Sequence, residues 1–195
     1  MKKLIFSIIV ALMATVAARA QQIAVVSDGT TTLYHTLQKA IEGAPAGSVI
    51  YLPGGGFSIS KTVKITKRLT IIGIGYYAKS GNVDGITTIS GDLFFDEGSD
   101  GSAVMGCYIT GVVFIGDTDV AKAPVNKVMI KYCNVGSVDI GKKDTNGTII
   151  AQNFIRGDSD TNFASSEVTI SNNIIKATIW SVGGGIISNS SFASS

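Results

Sequence analysis

A short pattern that recurs through the second half of the chain constrains the fold more than any other feature. An apolar residue is followed, after two positions, by a small or polar residue and, after one more, by a second apolar residue. The pattern occurs in the segments Val104-x-x-Cys107-x-Ile109, Ile130-x-x-Cys133-x-Val135, Ile150-x-x-Asn153-x-Ile155, Ile170-x-x-Asn173-x-Ile175 and Ile187-x-x-Ser190-x-Phe192. The segment Ile89-x-x-Asp92-x-Phe94 also fits. Because short strands that return at steps of about 20 residues are typical of a solenoid, we predict about seven stacked coils.

Stacking explains the residue types in this pattern. A single coil cannot bury its own apolar residues, so neighbouring coils about 4.8 Å apart bring equivalent positions into contact, with Ile on Ile. An Asn at an inside corner is tolerable because its amide can bond to the neighbouring coil. Cys107 and Cys133 occupy this middle position in consecutive coils. Either a disulfide bond or two free thiols that face inward would fit.

The rest of the chain predicts little helix. Apolar residues at helical spacing predict one amphipathic helix over Leu33 to Glu42, with His35 on it as a surface residue. After Gly47, short groups of Val and Ile alternate with turn residues, which is typical of strands. The composition agrees, since 45% of the residues are apolar, 15% are charged and 23 are glycines.

Two glycine-rich stretches could be mistaken for phosphate-binding loops. The segment "PGGG" at residues 53 to 56 lies between two strand-like runs, whereas a phosphate cradle needs glycines that open a helix. The segment "GSVDIGKK" at residues 136 to 143 lacks the Ser or Thr that follows the lysine of a P-loop. We therefore expect a corner of the first coil at "PGGG" and no nucleotide cofactor.

The N-terminus has the features of a secretory signal peptide. Two lysines, an apolar stretch from Leu4 to Ala18 and small residues at Ala18 and Ala20 predict cleavage after residue 20. Residues 21–195 then form one domain that is secreted, periplasmic or on the outer cell surface, without a further membrane span. A formal charge of +2 with scattered lysines argues against a nucleic-acid partner.

Residues 33 to 75, "LYHTLQKAIEGAPAGSVIYLPGGGFSISKTVKITKRLTIIGIG", resemble the N-terminal entry of the pectate-lyase-like superfamily. The shared features are a capping helix, a "G-(D/S)-x-I-x-L-x-x-G-x-(Y/F)" strand and an "L-T-I-x-G-x-G" strand. The resemblance implies an all-β, single-stranded, right-handed parallel β-helix with an N-terminal capping helix, and coils from about residue 48 to 195. It also implies proteins that act on acidic or neutral polysaccharides.

Candidate site residues come from acidic turns and nearby bases. "GDTD" contains Asp117 and Asp119, and "GDSD" contains Asp158 and Asp160. Each pair could hold calcium, serve as an acid/base pair, or simply make a solvated turn. Arg156 and Lys131 are candidate lyase bases. The polygalacturonase-like signatures "NTD", "GHG" and "RIK" are absent from the sequence.

Aromatic side chains give a second indication. Several lie next to each other on strands and must point in opposite directions, so some face outward, where they could stack on sugars or lie beneath loops. These residues are Tyr76, Tyr77, Phe94, Phe95, Tyr108, Phe114, Tyr132 and Trp180.

Two functional classes remain open from the sequence. One is a non-catalytic scaffold that binds polysaccharide or a cell-surface partner. The other is a polysaccharide lyase or glycoside hydrolase that acts on an acidic polysaccharide. The C-terminal segment "IISNSSFASS" has no helix or charge that would cover the last coil, so we expect a longer protein, an intermolecular contact or a frayed final coil.

Overall fold

The structure, a computed structural model, describes residues 22–59, 63–76, 85–116, 122–141, 145–158, 161–163, 167–176, 179–182 and 184–193. The predicted signal peptide, Asp117, Asp119 and Asp160 lie outside these residues. Within them the chain forms a parallel β-helix, which confirms the predicted fold class.

Two long sheets run along the β-helix. The first begins with two antiparallel strands and continues with one parallel strand from each of seven coils. In spatial order its strands are β2 (Thr30–Tyr34), β1 (Ile23–Ser27), β3 (Val49–Tyr51), β6 (Thr70–Ile72), β9 (Ala103–Met105), β11 (Met129–Lys131), β13 (Asn146–Ala151), β16 (Glu167–Ser171) and β19 (Gly185–Ser188).

The second sheet takes up the rest of each coil. Its main path comprises β4 (Gly55–Ser58), β7 (Thr87–Ser90), β10 (Tyr108–Ile115), β12 (Asn134–Ile140), β14 (Phe154–Ile155), β17 (Ile174–Ile175) and β20 (Ser191–Phe192). Beside this path lie β5 (Val63–Ile65), β8 (Leu93–Phe95), β15 (Thr161–Phe163) and β18 (Ile179–Val182). Strands β10 and β12 are long enough to pair with strands of the main path and with strands beside it. A register shift between Ile109 and Val112 marks the bend between these two parts of one sheet.

The N-terminal end differs in detail from the prediction. Helix α1 (Leu37–Gly43) begins at Leu37 rather than at Leu33, because the threonine-rich residues before it pair with β1 as strand β2. Leu33 is consequently exposed, and His35 lies in the bend before the helix. The side chain of Thr36 accepts the N–H of Lys39 and caps the helix.

The core consists of columns of apolar side chains, one from each coil. In the first sheet the column joins paired residues of successive strands: Ile50, Ile71, Val104, Ile130, Ile150, Ile170 and Ile187. All except Ile187, which is in the last described coil, are fully buried. Full burial of each such side chain stabilises the fold by about 1.5–3 kcal/mol.

One predicted repeat segment is out of register. The repeat predicts that Ile89 is equivalent to Val104, the residue before the corner. Instead, Ile89 pairs with Ile109, the residue after the corner, and Val104 pairs with Ile71 of the preceding coil. Asp92 therefore lies at the next corner of the coil, where its carboxylate accepts the N–H of Val112. The segment from Ile89 to Phe94 resembles the repeat because apolar and polar residues alternate at both corners of the coil. Only the strand pairing shows which corner a segment forms.

The stretch "PGGG" does form a corner. Strand β3 ends at Tyr51, and β4 begins at Gly55, whose φ of 125° favours glycine. Phe57 then returns to the core at 6% exposure. Strand β4, rather than a helix, contains Gly55 and continues to Ser58, which is consistent with a structural role.

Candidate functional site

A shallow groove of about 610 Å³ lies over the corner between the two sheets. It is lined by three successive coils and by the tyrosine of an earlier loop. The lining residues are Tyr76, Tyr132, Asn134, Gln152, Asn153, Phe154, Asn172 and Ile174. None of these described residues is acidic.

The corner itself explains why these side chains face outward. From the third coil onward each coil makes the bend with one residue at positive φ, and the middle residue of the repeat follows it. The bend residues from coil three onward are Gly106, Tyr132, Gln152, Asn172 and Asn189. Two positions after the bend residues of coils four to six, Asn134, Phe154 and Ile174 follow on strands paired in register. Equivalent positions therefore form two outward rows along the groove.

Buried amides fix this corner from the inside. The Asn153 Nδ2 donates to the backbone oxygen of Ile130 at 2.9 Å and to Asn173 Oδ1 at 3.1 Å. Asn153 Oδ1 accepts the N–H of Cys133 at 2.9 Å. Asn173 Nδ2 donates to the oxygen of Ile150 at 2.7 Å. This amide ladder confirms that the middle residues of the repeat bond between neighbouring coils.

The two cysteines continue this inner column as free thiols. Cys107 Sγ donates to the oxygen of Met105 and Cys133 Sγ to the oxygen of Lys131, each at 3.3 Å. Burial raises the pKa of Cys107 well above its ordinary value, and the nearby Cys133 raises it further. Burial likewise raises the pKa of Cys133 to about 12. Neither thiol is a nucleophile in this state, because the thiolate is the reactive form.

Three cations contact the aromatic and amide residues around the groove. Lys131 Nζ lies 4.8 Å from the ring centroid of Tyr132, and Lys176 Nζ lies 5.3 Å from that of Phe154. Arg156 Nη1 donates to Asn134 Oδ1. These contacts place three positive charges next to residues that line the groove.

Arg156 is bound chiefly to the protein itself. Its Nη2 donates to the backbone oxygens of Ile109 and Thr110 at 2.9 and 3.1 Å. Its guanidinium carbon lies 4.6 Å from the Tyr108 ring centroid. With these bonds Arg156 connects three coils, which limits its freedom to act as a base.

Of the predicted acidic residues, Asp158 falls within the described part of the chain. Its side chain is 54% exposed and accepts Arg156 Nε at 2.8 Å. The structure thus brings Asp158 and Arg156 together. Lys131 lies on the other sheet, beside Tyr132. Within the described residues no group of three or more His, Cys, Asp or Glu side chains could hold a metal ion.

The predicted aromatic residues separate into several environments. Tyr76 and Tyr132 line the groove, Phe95 is buried, and Tyr108 lies beneath Arg156. Phe94 and Phe114 stack outside the groove at 5.5 Å between ring centroids. Tyr77 and the side chain of Trp180 lie outside the described residues.

The sequence prediction missed Phe154, which lines the centre of the groove. A signal was present, because Phe154 lies between the inward residues Asn153 and Ile155 and must therefore point outward.

A further ion cluster, also missed, lies away from the groove. The Asp96 side chain is only 8% exposed, with Lys122 Nζ at 2.9 Å and Lys64 Nζ at 3.7 Å. Burial by itself would raise the pKa of Asp96, but bonds from Lys122 and the Glu97 N–H, with the charges of both lysines, lower it below 3.8. This is a structural ion pair beside the end of β8.

The coiled sheets and the inner amide ladder define a parallel β-helix protein, and the N-terminal half of the chain is similar to the pectate-lyase-like proteins. The family described as "Rhamnogalacturonase A/epimerase, pectate lyase-like" matches residues 20–116, which covers the N-terminal hairpin, the helix and the first three coils. The groove residues from Tyr132 onward lie beyond that match. No curated protein and no solved structure matches the chain significantly. In the described part of the chain no helix is both long and apolar enough to cross a bilayer.

Proposed function

We propose that this protein is an exported, non-catalytic scaffold that binds a polysaccharide in the groove over coils four to six. The observation that carries the proposal is the repetition of outward aromatic and amide side chains at equivalent positions of successive coils. Aromatic faces pack against sugar rings, and amides donate to and accept from hydroxyl groups. The spacing of coils, about 4.8 Å, is close to the length of one sugar residue, which suits a polymer.

The charges around the groove favour a polysaccharide with carboxylates. Lys131, Lys176 and Arg156 contact groove residues, and the described carboxylate beside them is Asp158, which is paired with Arg156. An acidic chain such as polygalacturonate or alginate would gain charge-assisted contacts that a neutral chain lacks.

Binding tests this proposal directly. We expect the mature chain to bind polygalacturonate or alginate in calorimetry, with an affinity that falls as salt is added. The substitution Phe154→Ala should weaken binding about tenfold or more, since it removes the central ring. Phe114→Ala is the matched control, because Phe114 is another half-buried outward phenylalanine on a strand outside the groove. Equal binding by both variants would contradict the proposal.

A charge variant tests the preference for acidic chains. Lys176→Gln should lower affinity for an acidic polysaccharide and leave that for a neutral one unchanged. Lys64→Gln is its control, because Lys64 lies at the same 5.3 Å distance from the Phe94 ring, away from the groove. A similar loss in the two variants would argue against groove electrostatics.

The second candidate function is a lyase or hydrolase that uses Asp158, Asp160, Arg156 or Lys131. The pair formed by Arg156 and Asp158 is the observation that favours it. Incubation with acidic polysaccharides should release no unsaturated or reducing sugar if the scaffold proposal holds. Product release that is lost in Asp158→Ala and Asp160→Ala would establish the enzyme instead.

The export proposal rests on the predicted signal peptide. Expression of the full chain in a bacterial host with a secretion system should yield a mature protein that starts at Gln21. N-terminal sequencing of the exported fraction checks this, and retention of the uncleaved chain in the cytoplasm would contradict it.

A further inference from the structure

The bend residue of the fourth coil is unlike those of its neighbours. In coils three to seven the φ angles at this corner are 66° for Gly106, 54° for Tyr132, 58° for Gln152, 54° for Asn172 and 48° for Asn189. Glycine adopts this left-handed conformation without strain, and asparagine adopts it more readily than other residues with side chains. A bulky aromatic residue there is a genuine outlier.

The fold itself does not account for this tyrosine. The Tyr132 side chain remains 45% exposed, so its ring does not fill the core. Its described ring contact is with Lys131, at 4.8 Å, and exposed contacts of this kind stabilise a protein only weakly. Strained residues of this sort concentrate at functional sites, where the surrounding structure holds them in place.

The position of the ring supplies the missing reason. Tyr132 lines the groove beside Asn134, and the equivalent corner positions of the next two coils carry Gln152 and Asn172. The Tyr132 ring is thus followed by the Gln152 amide in the next coil and by the Asn172 amide in the coil after that. The bend directs the ring outward because it turns the following residue, Cys133, into the core.

We propose that Tyr132 is the residue that positions the polysaccharide in the groove. One sugar ring stacks on it, and Gln152 and Asn172 then bind hydroxyl groups of the following residues, so the polymer runs along the coil axis. This inference rests on the proposed polysaccharide binding and adds the residue that positions the chain. It implies that the strained corner is retained for binding at the expense of folding stability.

Two substitutions of Tyr132 separate binding from stability. Tyr132→Asn removes the ring and eases the left-handed backbone, as in the coils that carry asparagine. We expect its Tm to rise by about 2–4 °C and its affinity for the polysaccharide to fall more than tenfold. Tyr132→Phe keeps both the ring and the strain, so its affinity and Tm should stay close to those of the unmodified protein.

An oligosaccharide series tests the orientation of the chain. Affinity should increase from one to about three sugar residues, the length of three coils, and then level off. An affinity that does not depend on length would overturn the axial arrangement.

The outcomes distinguish this inference from the function on which it rests. Full binding by Tyr132→Asn, or a Tm below that of the unmodified protein, would overturn the role of Tyr132 while leaving the groove as a binding site. An unmodified protein that binds no polysaccharide would overturn both proposals.

Discussion

Asn153 and Asn173 form a double contact between neighbouring coils at the inside corner. Asn173 Oδ1 accepts both the backbone N–H of Asn153, at 2.8 Å, and its side-chain Nδ2, at 3.1 Å. Asn153 repeats the arrangement toward the preceding coil, where its Oδ1 accepts the N–H of Cys133. Because both amides are 3% exposed or less, water cannot replace these bonds.

We therefore predict that Asn153→Ala is strongly destabilising. The Cys133 N–H and the Ile130 oxygen lose their bonds to this side chain in a buried site, which should cost about 2–5 kcal/mol in the free energy of unfolding. Denaturation by urea measures the loss. Thr169→Ala, at an exposed position on β16, is the control and should change stability by less than about 0.5 kcal/mol. A similarly small change for Asn153→Ala would contradict the structural role of the ladder.

The Asp96 cluster predicts a loss of stability in acid. The folded-state pKa of Asp96 is lowered below its ordinary value of 3.8, so the folded protein holds the charged form more strongly than the unfolded chain does. Its contribution is complete above the unfolded pKa and disappears as the pH falls through the folded pKa. Asp96→Asn should cost about 1–3 kcal/mol at pH 7, and this difference should shrink below about pH 4.

Thermal unfolding of both proteins between pH 7 and the acid range checks this prediction. Lys122→Met should reproduce part of the loss at neutral pH, since Lys122 donates to Asp96 at 2.9 Å. A constant difference between Asp96→Asn and the unmodified protein across this range would show that the carboxylate is not the cause.

We predict that the loss of Arg156 lowers the free energy of unfolding more than the loss of its ionic partner, Asp158. Arg156→Ala breaks bonds to two backbone oxygens and the contact with Tyr108, and should cost about 1–3 kcal/mol. Asp158→Ala should change stability by less than about 0.5 kcal/mol, because its side chain is 54% exposed. Chemical denaturation of the two variants gives the comparison. Equal losses would mean that the ion pair, not the backbone contacts, carries the role of Arg156.

The buried thiols predict a decline of stability in alkaline solution. The pKa of Cys133 is raised to about 12 and that of Cys107 is also raised, so the folded state keeps protons that the unfolded chain releases. Their contribution is complete below the unfolded pKa, about 8.5, and falls as the pH rises toward 12. Between about pH 8.5 and pH 12, the free energy of unfolding should therefore fall less for Cys133→Ala than for the unmodified protein.

Thiol titration provides a separate check of the same site. Both cysteines should resist a thiol reagent at pH 8 in the folded protein and react fully after unfolding without a reductant. A requirement for reductant in the unfolded state would instead indicate a disulfide bond between Cys107 and Cys133.

Calcium binding by the acidic turns is an open proposal that one titration can test. Asp158 is already paired with Arg156, so we expect millimolar calcium to shift the Tm by less than about 1 °C. A larger rise that disappears in Asp117→Ala or Asp160→Ala would establish a metal site in these turns.

Much of the fold was predictable because stacked coils impose a local pattern. The segments from Val104 onward have the predicted register, and Ile130, for example, pairs with both Val104 and Ile150. The prediction failed where the local pattern is shared by two corners, as at Ile89, and where a short strand competes with a helix, as at Leu33. Strand pairing decides both cases: Leu33 pairs with Ala24, nine residues before it, and Ile89 pairs with Ile109, twenty residues after it.

The sequence alone determined that apolar residues face inward and that amides or thiols occupy the corner, since alternation along a strand fixes the direction of each side chain. The same alternation holds the signal for the outward direction of Phe154, which the sequence prediction missed, whereas the outward direction of Tyr132 follows from the positive φ at the bend. Only the tertiary structure decided that these two rings lie in one groove with Gln152 and Asn172, and that Arg156 is held by two other coils. Such relationships arise from the stacking of coils about 20 residues apart, a distance across which no local pattern specifies which side chains meet.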